Sequence, residues 1–191
     1  MEHPSYITFS PDQLNKIGNT AIFLSQHIER LSKTKLLKLF YILDELSIKK
    51  SGIPFLNLKY KVWKFGPVSE ELFIDLSSEL KLLGNFLEKQ SDEGIYYAAS
   101  IAEFNDDEFS MSDIELMHDV INRFGSQTAA ELVNYTHREN SPWHATAKAE
   151  NVLELLESGE INNTEIWIDM GQLVAHDPRK REIYSDYIER H

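Results

Sequence analysis

Between Leu14 and Leu46 apolar residues return every three or four positions: Leu14, Ile17, Ala21, Leu24, Ile28 and Leu31, then Leu36, Leu37, Leu39, Phe40, Leu43 and Leu46. Such spacing lines one face of an α-helix, with its turn of about 3.6 residues, and has no counterpart in a strand. The chain is therefore committed to two amphipathic helices in succession. Ser10-Pro11-Asp12 reads as the first start, because serine accepts from free backbone N–H groups and proline fits the first turn. This helix is predicted to run to about Arg30, with Gly18 weakening its middle. Ser32 or Thr34 caps the second helix. It ends near Lys49 and Lys50, cations suited to a helix C-terminus, and stops by Gly52 and Pro54.

From Leu56 to Lys64 the period changes to two. Leu56, Leu58, Tyr60 and Val62 fall on one side and Lys59 and Lys61 on the other, the pattern of a half-buried strand. Gly66-Pro67 breaks it, and Val68-Ser69-Glu70-Glu71 opens a third helix through Leu72, Phe73, Leu76 and Leu80. Phe86-Leu87-Glu88 and Ile95-Tyr96-Tyr97 flank Ser91-Asp92-Glu93-Gly94, which reads as an antiparallel hairpin with a loose turn. Helix then returns. Ser112-Asp113 caps Ile114 to Phe124, and Gly125 offers a left-handed stop. Gln127 to Thr136 forms a short helix, Ser141-Pro142-Trp143 starts another, and Asp177-Pro178 starts the last. Ile166-Trp167-Ile168 stays unassigned. The expected class is mainly α (α+β), a compact helical domain with a small antiparallel β element.

The 191 residues are 42% hydrophobic and 26% charged, enough to bury a core in one domain. With no cysteine, disulfide and zinc-ribbon frameworks are excluded. The longest apolar runs, Leu39 to Leu43 and Ile95 to Ala99, are far short of a membrane span. Met1-Glu2-His3-Pro4 carries no secretory pattern, so a cytoplasmic protein is expected. The net charge of −12 is uneven: residues 1–100 hold 12 basic and 12 acidic side chains, residues 101–191 hold 7 and 19. Lys33 to Lys64 is locally basic. An acidic rear half repels nucleic acid and draws basic partners, or it serves solubility alone.

Chemistry-bearing motifs are missing. No two glycines are placed for a dinucleotide loop, and there is no G-K-[ST], G-x-S-x-G or H-E-x-x-H. Of the seven histidines, His137 and His144 could meet a carboxylate at a metal, yet two dispersed histidines fall short of a ligand set. His137 at a helix C-terminus has a plainer reading, donating to free carbonyls. Lys59, Lys61 and Lys64 interleave with Tyr60, Trp63 and Phe65, the mix of single-strand nucleic-acid binders, though lysines also blunt edge strands. The expectation is no catalytic residue, no metal and no cofactor.

Three motifs in order stand out: Lys35-Leu36-Leu37-Lys38-Leu39-Phe40-Tyr41, then Trp63-Lys64-Phe65-Gly66-Pro67-Val68, then Thr136-His137 with Pro142-Trp143 after it. The set resembles the SocA-like Panacea domain of bacterial and phage antitoxins, whose pattern runs K-L-x-K-L-x-Y, W-x-x-G-P-V, and an E-L helix (here Glu131-Leu132) ending in T-H with P-W beyond. It covers roughly Leu14 to Lys148. The resemblance implies a predominantly helical domain; the expected division is that domain over 8–150 with a small β-hairpin, and a C-terminal extension over 151–191 packed on it, to which nothing of the resemblance carries over. The resemblance further implies a non-enzymatic antitoxin that meets a cognate toxin by direct protein–protein contact; homo- or hetero-oligomers stay open, and the short apolar runs give no expectation of a membrane. The matching residues Lys35, Leu36, Lys38, Leu39, Tyr41, Trp63, Gly66, Pro67, Val68, Thr136, His137, Pro142 and Trp143 are read as mostly structural. Lys35 and Lys38 either line a helix seam with solvated heads or pair with the acidic half. The acidic clusters Asp106-Asp107-Glu108 and Glu154-Glu157-Glu160 are the expected contacts to a basic toxin surface. A proteolytic adaptor and a DNA-binding autoregulator using Lys33–Lys64 are the alternatives.

Overall fold

A computed structural model describes residues 9–190; Met1-Glu2-His3-Pro4, which carries no secretory pattern, and His191 lie outside them. The predicted first helix, α1 (Pro11–His27), is capped by the Ser10 side chain. It stops three residues before Arg30, because Ile28 is already extended at φ −126° and ψ 112°. The second, α2 (Lys33–Ser51), is capped by Ser32 and ends on Gly52 at φ +83°. α2 is the axis of the protein. It touches α3 (Glu70–Ser77), α4 (Met111–Phe124), α5 (Ala129–His137), α8 (Pro178–Arg190), the strands β2 (Gly66–Val68) and β4 (Ile95–Ser100), and the 3-10 turn Met170–Val174. Surrounded on every side, it buries Leu36 to Glu45 without interruption. A helix so enclosed has no polar face left, and its charged residues Lys38, Asp44 and Glu45 are buried with the rest.

The described residues form eight α-helices and two two-stranded antiparallel sheets, as the mainly α reading expects. The strand over 56–64 is corrected. Ladder pairing is confined to β1 (Lys61–Trp63); its partner β2 is Gly66–Val68, made of Gly66-Pro67, read as a breaker, and Val68, read as opening the third helix, with Trp63 opposite Gly66. Upstream, the N–H groups of Leu56, Asn57 and Leu58 all donate to the Asp44 carboxylate, which holds that backbone out of any ladder. The alternation still tracks burial at Leu56, Leu58, Tyr60 and Val62. Lys61 breaks it: buried rather than outward, it pairs with Glu70 and Glu165 under the Trp167 ring.

Other boundaries shift for local reasons. α3 ends at Ser77 rather than Leu80, because buried Asp75 accepts from Leu82 and Leu83 N–H and turns the chain back. β3 (Leu87–Asp92) and β4 close through Glu93-Gly94, both at positive φ, so the turn is a tight two-residue one and not the loose loop expected. α4 starts two residues early: Ser110 and Asp113 form a reciprocal capping box. Gly125 ends it in the right-handed region (φ −61°), without the left-handed reversal predicted. α5, α6 (Pro142–Ala149) and α8 begin at Thr128, Ser141 and Asp177-Pro178. Beyond α7 (Leu153–Ser158), residues 162–168 run beside β1: Val62 N–H donates to Ile166 O, Lys64 N–H to Asn162 O, and Ile168 N–H to Tyr60 O. The segment left unassigned is thus tied into the small sheet.

Candidate functional site

The three sequence motifs meet at one place, where α2, the β1–β2 hairpin and the α5–α6 corner converge. Lys38 enters from α2. Its side chain is fully buried, and Nζ donates to Pro67 O at 2.8 Å, with no carboxylate among the described residues bonded to it. Neither expectation for this lysine holds, since its head is not solvated and pairs with no acid. The enclosing of α2 explains this, because β2 covers the ammonium and offers a carbonyl. Burial alone brings its pKa down to about 7. Gly66, at φ +94°, brings the hairpin backbone against Lys38 and Thr136. Buried Thr136 donates to Val133 O at 2.9 Å, and its own carbonyl accepts from Ser141 Oγ at 2.7 Å, which binds the end of α5 to the cap of α6.

His137 and Trp143 form the lid of this knot. Their rings stack at 3.7 Å and 5° from parallel. Trp143, 1% exposed, donates Nε1–H to Trp63 O at 2.9 Å, so the second and third motifs are joined directly. Trp63 is half-buried; its own Nε1–H reaches Thr164 O, and its ring meets Phe73 edge to face. Buried His137 Nε2 has no hydrogen-bond partner among the described residues. Burial, then the charges of Lys38 and His144, bring its pKa down to about 4. A carbonyl-capping histidine, the plainer sequence reading, is not what is found; the ring packs flat on Trp143 instead. Among the described residues no group of three His, Asp or Glu could hold a metal ion.

The remaining motif residues extend the same frame. Lys35 Nζ donates to Gly125 O at 2.6 Å, a cation set on the C-terminal end of α4. Leu36, Leu39 and Tyr41 are fully buried, Pro67 and Val68 are buried in β2, and Pro142 opens α6. Tyr41 stacks edge to face on Tyr60 at 5.1 Å. Beside it lies a second polar cluster that the sequence did not suggest. Glu45, fully buried, takes Lys49 Nζ at 2.5 Å and the Arg138 guanidinium, and Arg138 in turn lies over the Tyr135 ring at 4.0 Å. The only hint was Arg138 following the T-H pair.

Of the lysines from 33 to 64, five are engaged. Besides Lys38, Lys35, Lys49 and Lys61, Lys33 donates to Ser77 Oγ at 2.9 Å. The basic stretch thus presents no row of free ammonium groups for phosphates. The acidic residues fall in two separate places. Asp106, Asp107 and Glu108 sit in the loop between β4 and α4, anchored by Asn105 N–H on Asn19. Glu154 and Glu157 are exposed on α7, and Glu160 just past it. No hydrogen bond or ion pair among the described residues joins the two groups.

A family model described as "Antitoxin SocA-like, Panacea domain" matches residues 36–144, more than half of the chain and all but Lys35 of the motif knot. The chain belongs to this SocA-like Panacea family. No curated protein and no solved structure gives a significant match. For a Panacea domain the geometry has a clear meaning: its signature residues are those that lock α2, the β1–β2 hairpin and the α5–α6 corner together. The family match supports an antitoxin role in general terms.

The knot also sets a pH dependence. A buried base with a depressed pKa leaves the folded protein binding fewer protons than the unfolded chain, so stability rises with pH through the window between the two values. For His137 that window runs from about 4 to 6.5, and for Lys38 from about 7 to 10.5. Urea unfolding across pH 4–10 should therefore show His137→Phe flattening the acid limb and Lys38→Met the alkaline limb. Limbs parallel to those of the unsubstituted protein would contradict this.

Proposed function

We propose that this protein is a cytoplasmic antitoxin that neutralises a cognate toxin by direct protein–protein contact, without catalysis and without a cofactor. The observation that carries the reading is the family match over residues 36–144. The signature residues are spent on the internal knot, so partner recognition falls to the surface outside it. We place the electrostatic part of that contact on Asp106, Asp107 and Glu108 and on Glu154, Glu157 and Glu160. At least five of these six are exposed and solvated, and they oppose a toxin face basic enough to hold phosphate. The 151–191 segment belongs to the same working unit: it contributes Glu165 to Lys61 and Thr164 O to Trp63.

The test is expression of the adjacent reading frame alone and together with this protein. Toxicity alone, restored growth together and a co-purifying complex are expected. Reversing the six charges to lysine should weaken the complex at least tenfold and flatten its salt dependence. The toxin's half-life should be unchanged or longer in the complex; a shortened half-life would instead indicate delivery to a protease. A harmless neighbour, or a toxic one neither bound nor rescued, would overturn the reading.

A further inference from the structure

The β3–β4 hairpin has one edge in use and one open. Ala98 N–H leaves β4 on its outer side and donates to Leu31 O. Ala98 lies opposite Lys89, so this is the kind of antiparallel pair whose backbone groups point away from each other. Lys89 must then direct its own N–H and C=O outward from β3, and Ser91, two residues on, does the same. Leu87 obeys the same phase, its N–H leaving the hairpin for Leu83 O. Lys89 and Ser91 are exposed, and among the described residues no backbone hydrogen bond outside the hairpin involves them. The outer edge of β3 is thus a short unpaired strand edge.

Beside that edge is a pocket. Leu87, Lys89, Tyr96 and Ala98 lie on one face of the hairpin, and Leu76 and Leu80 close the space from the end of α3. The side chains of Lys33 and Lys89 stand at its rim. Their immediate partners are neutral: Ser77 Oγ for Lys33 and the Ser78 carbonyl for Lys89. Neither forms an ion pair among the described residues. Partial burial, and then the neighbouring charge of Lys89, lowers the Lys33 pKa. Glu88, which also borders the pocket, is one residue out of phase, so its side chain belongs to the opposite face, where Gln90 Nε2 donates to it.

We propose that the outer edge of β3 is a docking site for an extended acidic segment of the toxin, which adds as a strand while an apolar side chain enters the pocket and a carboxylate meets Lys33 and Lys89. An unpaired edge supplies main-chain hydrogen bonds, and the pocket and charges supply selectivity. The same lysines argue against a second copy of this chain, because edge-to-edge pairing of β3 with itself brings Lys89 towards its own counterpart. The site rests on the antitoxin reading, from which it takes its partner, but uses the opposite charge from the acidic surface of that reading.

The experiment measures affinity for the adjacent-frame product by titration calorimetry. Ser91→Pro removes an outward N–H that bonds nothing within the hairpin, and proline is tolerated at such edge positions. The pair Lys33→Glu with Lys89→Glu reverses the rim. Each should weaken binding at least tenfold with unchanged circular dichroism and melting, while Lys50→Glu with Lys59→Glu, an equal change in net charge on other exposed lysines, should cost less than threefold. A complex with the unsubstituted protein that both groove variants match within twofold overturns this site and leaves the antitoxin intact. No complex with the unsubstituted protein overturns both. Loss of self-association in sedimentation, with toxin affinity kept, assigns the edge to a second copy and overturns the proposal.

Discussion

Asp44→Ala is expected to destabilise the protein by about 4 kcal/mol, as much as truncating a large side chain of the core. The carboxylate is 1% exposed and accepts four hydrogen bonds, from Leu56 N–H at 2.6 Å, Asn57 N–H at 3.1 Å, Leu58 N–H at 3.1 Å and the Tyr60 hydroxyl at 2.7 Å. Burial raises its pKa, and the four donors hold that rise in check. Alanine removes the acceptor and leaves three backbone donors and a phenol facing a core with no water to take them, each unsatisfied group costing about 1–3 kcal/mol before relaxation. Asp44→Asn tests the mechanism. Its amide keeps one acceptor oxygen but turns an NH2 towards a donor, so it should fall between alanine and the unsubstituted protein. Tyr60→Phe removes one bond and should cost about 1–2 kcal/mol. Chemical unfolding of the three variants checks the order. If alanine proved milder than phenylalanine, the carboxylate would not be what organises residues 56–60.

Much of the fold was legible where local chemistry and tertiary demand agree. Ser10, Ser32 and Ser141 cap the helices after them, and Gly52 stops α2. Legibility failed where a distant side chain overrode the local pattern. The run from Leu56 to Val62 alternates as a strand does, yet a carboxylate on another element claims the N–H groups that a ladder needs. α3 stops short because Asp75 reaches forward to Leu82 and Leu83. Gly66-Pro67 reads as punctuation, but proline can pair at an edge whose N–H is not required, and that makes it strand β2.

The site was legible as a list and not as a geometry. The motifs named the knot residues, since Lys38, Gly66, Thr136, His137 and Trp143 all meet there. Their partners were not readable. A lysine in an amphipathic pattern is expected to keep its head in water, and only the enclosure of α2 on every side forces Lys38 inward. The Glu45–Arg138 pair joins residues 93 apart, and nothing in spacing or composition links them. The open edge of β3 depends on strand phase, which becomes fixed only once the Glu93-Gly94 turn is seen to hold two residues.

Gly66→Ala should cost about 3 kcal/mol or more, and it probes the knot itself. Two independent penalties meet at this position. At φ +94° an L side chain is strained wherever it points. The added Cβ would also stand 2.6 Å from Thr136 Oγ1, 3.1 Å from Lys38 Cε and 3.3 Å from Lys38 Nζ. These neighbours cannot swing aside, because Thr136 is tied to Val133 O and Lys38 to Pro67 O, and both are buried. Adding Thr136→Ala separates the penalties. It removes the atom nearest the new methyl, so the double variant should recover about 1 kcal/mol relative to the sum of the single changes, while the backbone strain stays. In the co-expression assay Gly66→Ala should lose rescue at elevated temperature and keep it at low temperature, because it depletes the folded state without touching the toxin-facing surface. Rescue lost equally at all temperatures, with melting unchanged, would place Gly66 in the toxin contact and not in the scaffold.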